Sequence, residues 1–166
     1  YQEWISTVWP NSGGMALTPT DGAEIDFGEI GEEVATLAST YSPREIPHDP
    51  WNSAQLAQQL ATAGWMPVAI PQTTAHLSPP MKEMESALVA GCLNLDDNPV
   101  KNGMIGNVTE REDANENVFP RKEGKDNKID GAMAAIMAIG RAMLNKGAFS
   151  SPYSEDDYDP MDAVLD

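Results

Sequence analysis

The sequence predicts an α/β fold in which a short central sheet is flanked by helices. Two short apolar segments, Glu45–Asp49 and Met66–Ile70, alternate with segments whose apolar residues recur at helical spacing. Two alternating segments around Asp113–Glu116 indicate a β-hairpin. An order of strand, helix, strand, helix, hairpin and helix is typical of α/β domains.

The composition limits the kinds of site that the chain can build. Its 166 residues, 41% of them hydrophobic, suffice for one domain with a core. No apolar run is long enough to span a bilayer, so no membrane partner is expected. One cysteine, Cys92, and two histidines exclude an internal disulfide, a cysteine-based zinc site and a histidine-rich centre. A metal site would therefore use carboxylates, which favour magnesium, manganese or calcium, and a reducing, cytoplasmic setting fits.

The charge is strongly negative but uneven along the chain. A net charge of -16 argues against loose electrostatic binding to nucleic acid. Four basic residues nevertheless cluster ahead of the last predicted helix, where they are expected to face phosphates: Arg121, Lys122, Lys125 and Lys128. We predict a domain over residues 1–150 and an acidic, disordered tail over residues 151–166.

Three longer helices and one short helix are predicted upstream of that cluster. Asp26 is expected to cap the first helix, whose buried face would hold Ile30, Val34, Leu37, Ala38 and Tyr41. Asn52 is expected to cap the second, and Ser78 followed by Pro79 to begin the third. Residues 99–106 are expected to form one or two further helical turns.

Two residues in this region are expected to be buried. Trp51 would fill the core behind the Glu45–Asp49 strand, and the alternative is that it stacks on a nucleobase. Cys92 is expected to be buried and inert.

The last helix has the strongest pattern in the chain. One broad apolar face is formed by Ile129, Met133, Ile136, Met137, Gly140 and Met143 or Leu144. Asn127 is a candidate N-cap, and Gly140 with three alanines would allow close approach to another element. Asp130 lies in the first turn, where the helix dipole favours an ionised carboxylate. It either complements that dipole or presents a metal ligand.

Asp49 and Asp130 stand out among the many acids by their position. Asp49 ends a predicted strand, where α/β folds place their ligand sites, and Asp130 begins a helix that must pack on the sheet. Carboxylates that converge from separate elements can hold divalent cations. Such cations stabilise the attacking and leaving oxygens when a phosphodiester is cleaved. The alternative is that both acids are simply solvated.

Short motifs in a fixed order resemble the C-terminal nuclease domain of the large terminase subunit of tailed double-stranded-DNA phages. The similarity extends to about Met143. Its motifs are His48-Asp49-Pro50-Trp51-Asn52, Gln55-Leu56, Gln59-Leu60, Pro71-Gln72, Leu77-Ser78, Met81-Lys82-Glu83, Gly91, Asn98-Pro99-Val100, Asn107-Val108 and Lys128-Ile129-Asp130-Gly131.

The resemblance implies a ribonuclease H-like fold and an endonuclease that uses Mg²⁺ or Mn²⁺ to cut concatemeric viral DNA in the host cell cytoplasm. It also implies double-stranded DNA as substrate, and a terminase ATPase domain, a small terminase subunit and a portal as partners. The source would be a bacteriophage or a prophage.

The family site uses three acids, and Asp49 and Asp130 match the second and third of them. The first acid has no match in this chain, and we expect it to precede Tyr1. We therefore expect an N-terminally incomplete domain that either self-associates or lacks a partner segment, and that cleaves little DNA alone. The alternative function is a non-cleaving docking module that binds the portal or procapsid through the acidic tail.

Overall fold

A computed structural model describes residues 25–93, 95 and 98–145. These residues form five helices and four strands. Their order is α1 (Phe27–Tyr41), β1 (Ile46–His48), α2 (Ala54–Thr62), β2 (Pro67–Ala69), α3 (Thr74–Val89), α4 (Pro99–Gly106), β3 (Val108–Glu112), β4 (Val118–Lys122) and α5 (Asp130–Leu144). The mixture of helices and strands confirms the predicted α/β class. The predicted tail, residues 151–166, lies outside the described residues.

The strands form two separate pairs within the described residues. β1 and β2 are parallel, with Ile46 opposite Pro67 and His48 opposite Ala69. β3 and β4 are antiparallel and form the predicted hairpin, whose turn is closed by a hydrogen bond from Asp113 N to Asn117 O at 2.9 Å. Parallel strands need a crossover connection, and α2 supplies it between β1 and β2.

The core lies mainly between α3 and α5. Leu77 and Met84 of α3 pack with Ile136 and Met137 of α5, and all four are buried. Gly140 permits this approach, because a Cβ at that position would lie 3.3 Å from Pro80 Cγ. The small residue predicted to allow close packing therefore does so at the point where α5 meets a proline.

The apolar face of α5 follows the prediction, but its first turn does not. Met143 is partly buried whereas Leu144 is 72% exposed, so Met143 takes the inward position. The predicted N-cap is wrong, because Ile129 precedes the first helical residue and makes no side-chain cap hydrogen bond. The backbone N–H of Asn127 instead donates to Gly124 O, within the loop before the helix.

α3 begins five residues earlier than predicted, at Thr74 rather than Pro79, so Ser78 is not its cap. Ser78 is buried inside the helix, and its hydroxyl accepts a hydrogen bond from Val118 N at 3.1 Å. Pro79 and Pro80 therefore occupy interior positions that each remove one helical hydrogen bond. Tertiary packing of Leu77 and Pro80 outweighs that local cost, because most helix stability in proteins comes from packing.

The cap of α1 is confirmed, since the Asp26 carboxylate accepts hydrogen bonds from Gly28 N at 2.7 Å and Glu29 N at 3.3 Å. Its predicted buried face is correct at Ala38 but wrong at Tyr41, which is 73% exposed because it lies at the last residue of the helix. The short helix over residues 99–106 is also confirmed, with Asn98 as its cap.

Three other sequence predictions are wrong near the ends of elements. Asn52 does not cap α2, because it lies in a turn with φ of 53° and Ser53 precedes the helix. Trp51 is 80% exposed, since this turn directs it away from the core, and Cys92 is exposed just beyond the end of α3. Across the described residues, no helix combines the length and the apolar character needed to cross a membrane.

We predict that Ser78→Ala destabilises the fold by about 1–3 kcal/mol, because it leaves the buried N–H of Val118 without an acceptor. Ser86→Ala is the matched control, since Ser86 is an exposed serine on the same helix. Urea unfolding of the two variants measures the difference. Equal unfolding free energies would show that the hydrogen bond contributes nothing.

Candidate functional site

An ion pair joins the start of the β1 strand to the last turn of α5. Arg141 Nε donates to Glu45 Oε2 at 2.6 Å, and Arg141 Nη2 donates to Glu45 Oε1 at 2.9 Å. Glu45 directly precedes β1, so the carboxyl end of α5 lies beside the beginning of that strand. The Arg141 guanidinium lowers the pKa of Glu45, and Glu45 raises the pKa of Arg141.

A second contact gives the direction of α5. Gln72 follows β2 at its carboxyl end, and its Nε2 lies 3.4 Å from Sδ of Met137. Met137 precedes Arg141 by one helical turn, and β2 is parallel to β1. The helix therefore runs antiparallel to the strands, from their carboxyl ends towards their beginnings.

Asp49 and Asp130 consequently lie at the same end of the packed β1–α5 pair. Four extended residues carry the chain about 13 Å from Glu45 to Asp49. Eleven helical residues span about 16 Å from Arg141 to Asp130. Both acids are exposed, Asp49 directly after β1 and Asp130 as the first residue of α5.

The carboxylate of Asp49 is oriented by the turn that follows it. Its Oδ1 accepts a hydrogen bond from Trp51 N at 2.9 Å. The hydroxyl of Ser53 donates to the Asp49 carbonyl, and His48 Nδ1 lies 2.9 Å from that hydroxyl. His48 is therefore engaged in this turn through Nδ1, which is consistent with a structural role.

The segment around Asp130 is attached to the end of α4. Asn107 Nδ2 donates to Lys128 O at 3.1 Å, and Gly131 N lies 3.2 Å from Met104 Sδ. A Cβ at position 131 would lie 3.0 Å from the same sulfur, so glycine allows this close packing. The first turn of α5 is therefore positioned by its neighbour rather than by a side-chain cap.

An open cleft of about 420 Å³ lies between β4 and the start of α5. It brings three of the four predicted DNA-binding residues, Arg121, Lys122 and Lys128, together with Asp130. The fourth, Lys125, is exposed in the intervening loop, where its carbonyl oxygen lies 3.5 Å from Lys122 Nζ. The cleft therefore combines cationic side chains with one of the two candidate ligands.

A second cleft, of about 450 Å³, also borders the hairpin and shares Phe119 and Arg121 with the first. It also contains Arg111 and Thr74, which the sequence did not single out. Arg111 is opposite Phe119 across the hairpin. The alternation of side chains along the two predicted strands was the sequence signal that could have identified Arg111. Nearby, hydrogen bonds from Asn117 lower the pKa of Asp113, which closes the turn.

The candidate metal ligands are the carboxylates of Asp49 and Asp130. Among residues 25–93, 95 and 98–145, no group of three His, Cys, Asp or Glu side chains is placed to hold a metal ion. Carboxylate oxygens suit Mg²⁺ and Mn²⁺, and Mg²⁺ usually retains several waters or takes substrate phosphate oxygens as further ligands. The donor chemistry fits a hydrated cation of this kind, and ligation by these two residues stays a prediction.

The sequence matches a family model and a curated protein. Residues 1–146 match the model described as terminase large subunit, endonuclease domain. Protein YmfN of Escherichia coli (strain K12) is 45% identical over 147 residues, which are 87% of this chain and 30% of YmfN. The chain therefore spans less than a third of that relative.

Solved structures show the same fold. The large terminase of bacteriophage HK97 superposes with a TM-score of 0.70 at 24% identity, over 81% of this chain and 28% of that protein. The large terminase nuclease of thermophilic phage G20c gives a TM-score of 0.57 at 16% identity, over 72% of this chain and 63% of that one. These likenesses confirm the predicted ribonuclease H-like fold.

We predict that the Glu45–Arg141 pair makes stability depend on pH. The pKa of Glu45 is lowered from 4.5 in the folded state, so its contribution is fully present above that value. The contribution is lost as pH falls through the lowered pKa. Glu45→Gln should therefore be less stable than the parent protein at about pH 7, and the difference should disappear at acidic pH.

Urea unfolding at a series of pH values measures this difference. Glu32→Gln is the control, because Glu32 is an exposed glutamate on α1. A difference between the Glu45→Gln variant and the parent that does not change with pH would contradict the prediction.

Proposed function

The chain belongs to the family of terminase large-subunit endonuclease domains, and from this premise we propose that it is the metal-dependent nuclease of a phage DNA-packaging motor. Its substrate is concatemeric double-stranded viral DNA, whose phosphodiester bonds it hydrolyses. The proposal is supported by the direction of α5, from which we infer that Asp49 and Asp130 lie at one end of the β1–α5 pair. It is also supported by the cation-lined cleft that contains Asp130.

Asp49 and Asp130 would hold Mg²⁺ or Mn²⁺ at this end of the domain. Such an ion polarises phosphate oxygens and lowers the pKa of bound water. The Trp51 N–H orients the Asp49 carboxylate through Oδ1, and within the described residues no hydrogen bond to Oδ2 is formed. The helix dipole favours the ionised form of Asp130, because this residue begins α5.

The basic residues supply the attraction to DNA that the chain as a whole lacks. Arg121, Lys122, Lys125 and Lys128 are all exposed, in β4 or in the loop that follows it. Their charges attract phosphates locally, whereas the net charge of -16 repels DNA from the rest of the surface. This distribution guides the backbone towards Asp130.

The partners follow from the same family membership. A terminase ATPase domain, a small terminase subunit and a portal would act with this domain in the host cell cytoplasm, where packaging takes place. The chain spans 28% of the HK97 large terminase. These partners are therefore proposed for the whole large terminase subunit rather than for this domain alone. In the alternative function, the domain docks on the portal or procapsid without cutting.

We predict that Asp130→Asn weakens Mn²⁺ binding by more than about tenfold, because asparagine keeps the shape but removes the charge. The parent chain should bind Mn²⁺ weakly, since two carboxylates leave most of the coordination to water. Asp126→Asn is the control, an exposed acid in the preceding loop. Electron paramagnetic resonance of free Mn²⁺ measures binding. Equal affinities would remove Asp130 from the site and favour the docking function.

We predict that replacing Arg121, Lys122, Lys125 and Lys128 with Ala reduces DNA affinity and flattens its salt dependence. Each lost phosphate contact should reduce the slope of log affinity against log salt by about 1. Arg44→Ala is the control, because Arg44 precedes β1 at the opposite end of the strand from Asp49. Fluorescence anisotropy with a labelled duplex at several salt concentrations measures the slope. An unchanged slope would show that these four residues do not contact DNA phosphates.

A further inference from the structure

Trp51 is a large aromatic residue that the fold leaves in solvent. It is 80% exposed, although a buried tryptophan removes about 150–250 Å² from water and contributes strongly to a core. The strand that precedes it packs against α5, but the chain turns away before the indole can join that contact. In the part of the chain that the structure describes, the indole is therefore largely uncovered.

Hydrogen bonds hold the turn that presents Trp51. Its N–H donates to Asp49 Oδ1 at 2.9 Å, and the Ser53 hydroxyl donates to the Asp49 carbonyl. The side chain of His48 lies 2.9 Å from the same hydroxyl. The backbone on both sides of Trp51 is thus attached to Asp49, and the indole is presented from an ordered turn.

The residue after Trp51 adopts a backbone conformation that few non-glycine residues use. Asn52 has a φ of 53°, and asparagine tolerates this left-handed region better than most residues. Such residues occur often at functional sites, where the surrounding structure holds them. Here the left-handed residue separates Trp51 from the first turn of α2.

The backbone of Trp51 lies close to that of Asp49, because only one residue separates them and the Trp51 N–H donates to the Asp49 carboxylate. Two residues of extended chain span at most about 7 Å, and successive stacked bases in DNA are about 3.4 Å apart. If Asp49 belongs to the cleavage site, the Trp51 backbone therefore lies within about two base steps of the phosphate that is cut.

We propose that Trp51 stacks on an unpaired DNA base next to the phosphate that is cut. The proposal rests on the proposed nuclease function and specifies the form of its substrate. A base within an intact duplex is covered on both faces by its neighbours, so an indole can stack on it only after it leaves the helix. Single-stranded, gapped or locally opened DNA at the cutting site is therefore the form that Trp51 recognises.

Three variants test the proposal. Trp51→Leu keeps an apolar side chain but cannot stack, Trp51→Phe keeps an aromatic ring, and Tyr41→Leu removes another exposed aromatic at the end of α1. Binding of labelled single-stranded, gapped and fully paired oligonucleotides is measured by fluorescence anisotropy in EDTA. We expect Trp51→Leu to weaken binding of single-stranded and gapped DNA roughly tenfold, with little change for the duplex. Trp51→Phe should retain most of the affinity, and Tyr41→Leu all of it.

Two results would overturn the proposal. One is equal affinity of the parent and Trp51→Leu for all three DNA forms. The other is a large fall in the thermal midpoint of Trp51→Leu, which would show that the indole packs against protein. Because the measurement uses no metal, its outcome is independent of the Mn²⁺ experiment on Asp130, and failure of either proposal is recognised separately.

Discussion

The close approach of α3 and α5 at Pro80 and Gly140 is the contact on which the rest of the structure depends. Any side chain larger than glycine at position 140 would press on the proline ring. With the two helices in contact, Ile136 and Met137 become buried with Leu77. Since α5 also contacts β1, α4 and their loops, its position determines where Asp130 lies. A packing constraint between two apolar surfaces thus places a polar residue of the candidate site.

Polar contacts then determine the direction of α5 against the sheet. The Glu45–Arg141 pair lies at one end of the helix, and the contact between Gln72 and Met137 lies nearer the middle. The ion pair is partly buried, and two contacts along one helix are enough to define its direction. That direction brings Asp130 to the carboxyl ends of the strands, where α/β folds bind ligands.

Positive and negative side chains lie close together in the cleft at the start of α5. In the proposed function, Lys122 and Lys128 would attract phosphate to the same cleft that contains Asp130, whereas the carboxylate alone would repel it. A divalent cation would turn this repulsion into attraction. The proposed function therefore explains why a strongly acidic chain has four of its ten basic residues together beside one of its acids.

The sequence by itself determined the features that depend on neighbouring residues. The cap at Asp26, the hairpin around Asp113 and the apolar face of α5 follow from hydrogen bonds and periodicities within a few residues. The roles of the basic residues and of both candidate acids stay predictions, made from their positions relative to predicted elements and from the family motifs.

Only the tertiary structure decided the features that depend on distant partners. Ser78 looked like a helix cap, but its hydroxyl accepts from Val118, forty residues away, inside a helix that contains two prolines. Trp51 looked like a core residue, but the turn tied to Asp49 leaves it in solvent. The common physical reason is that local propensity is worth little beside long-range packing, and long-range packing cannot be read from neighbours in the chain.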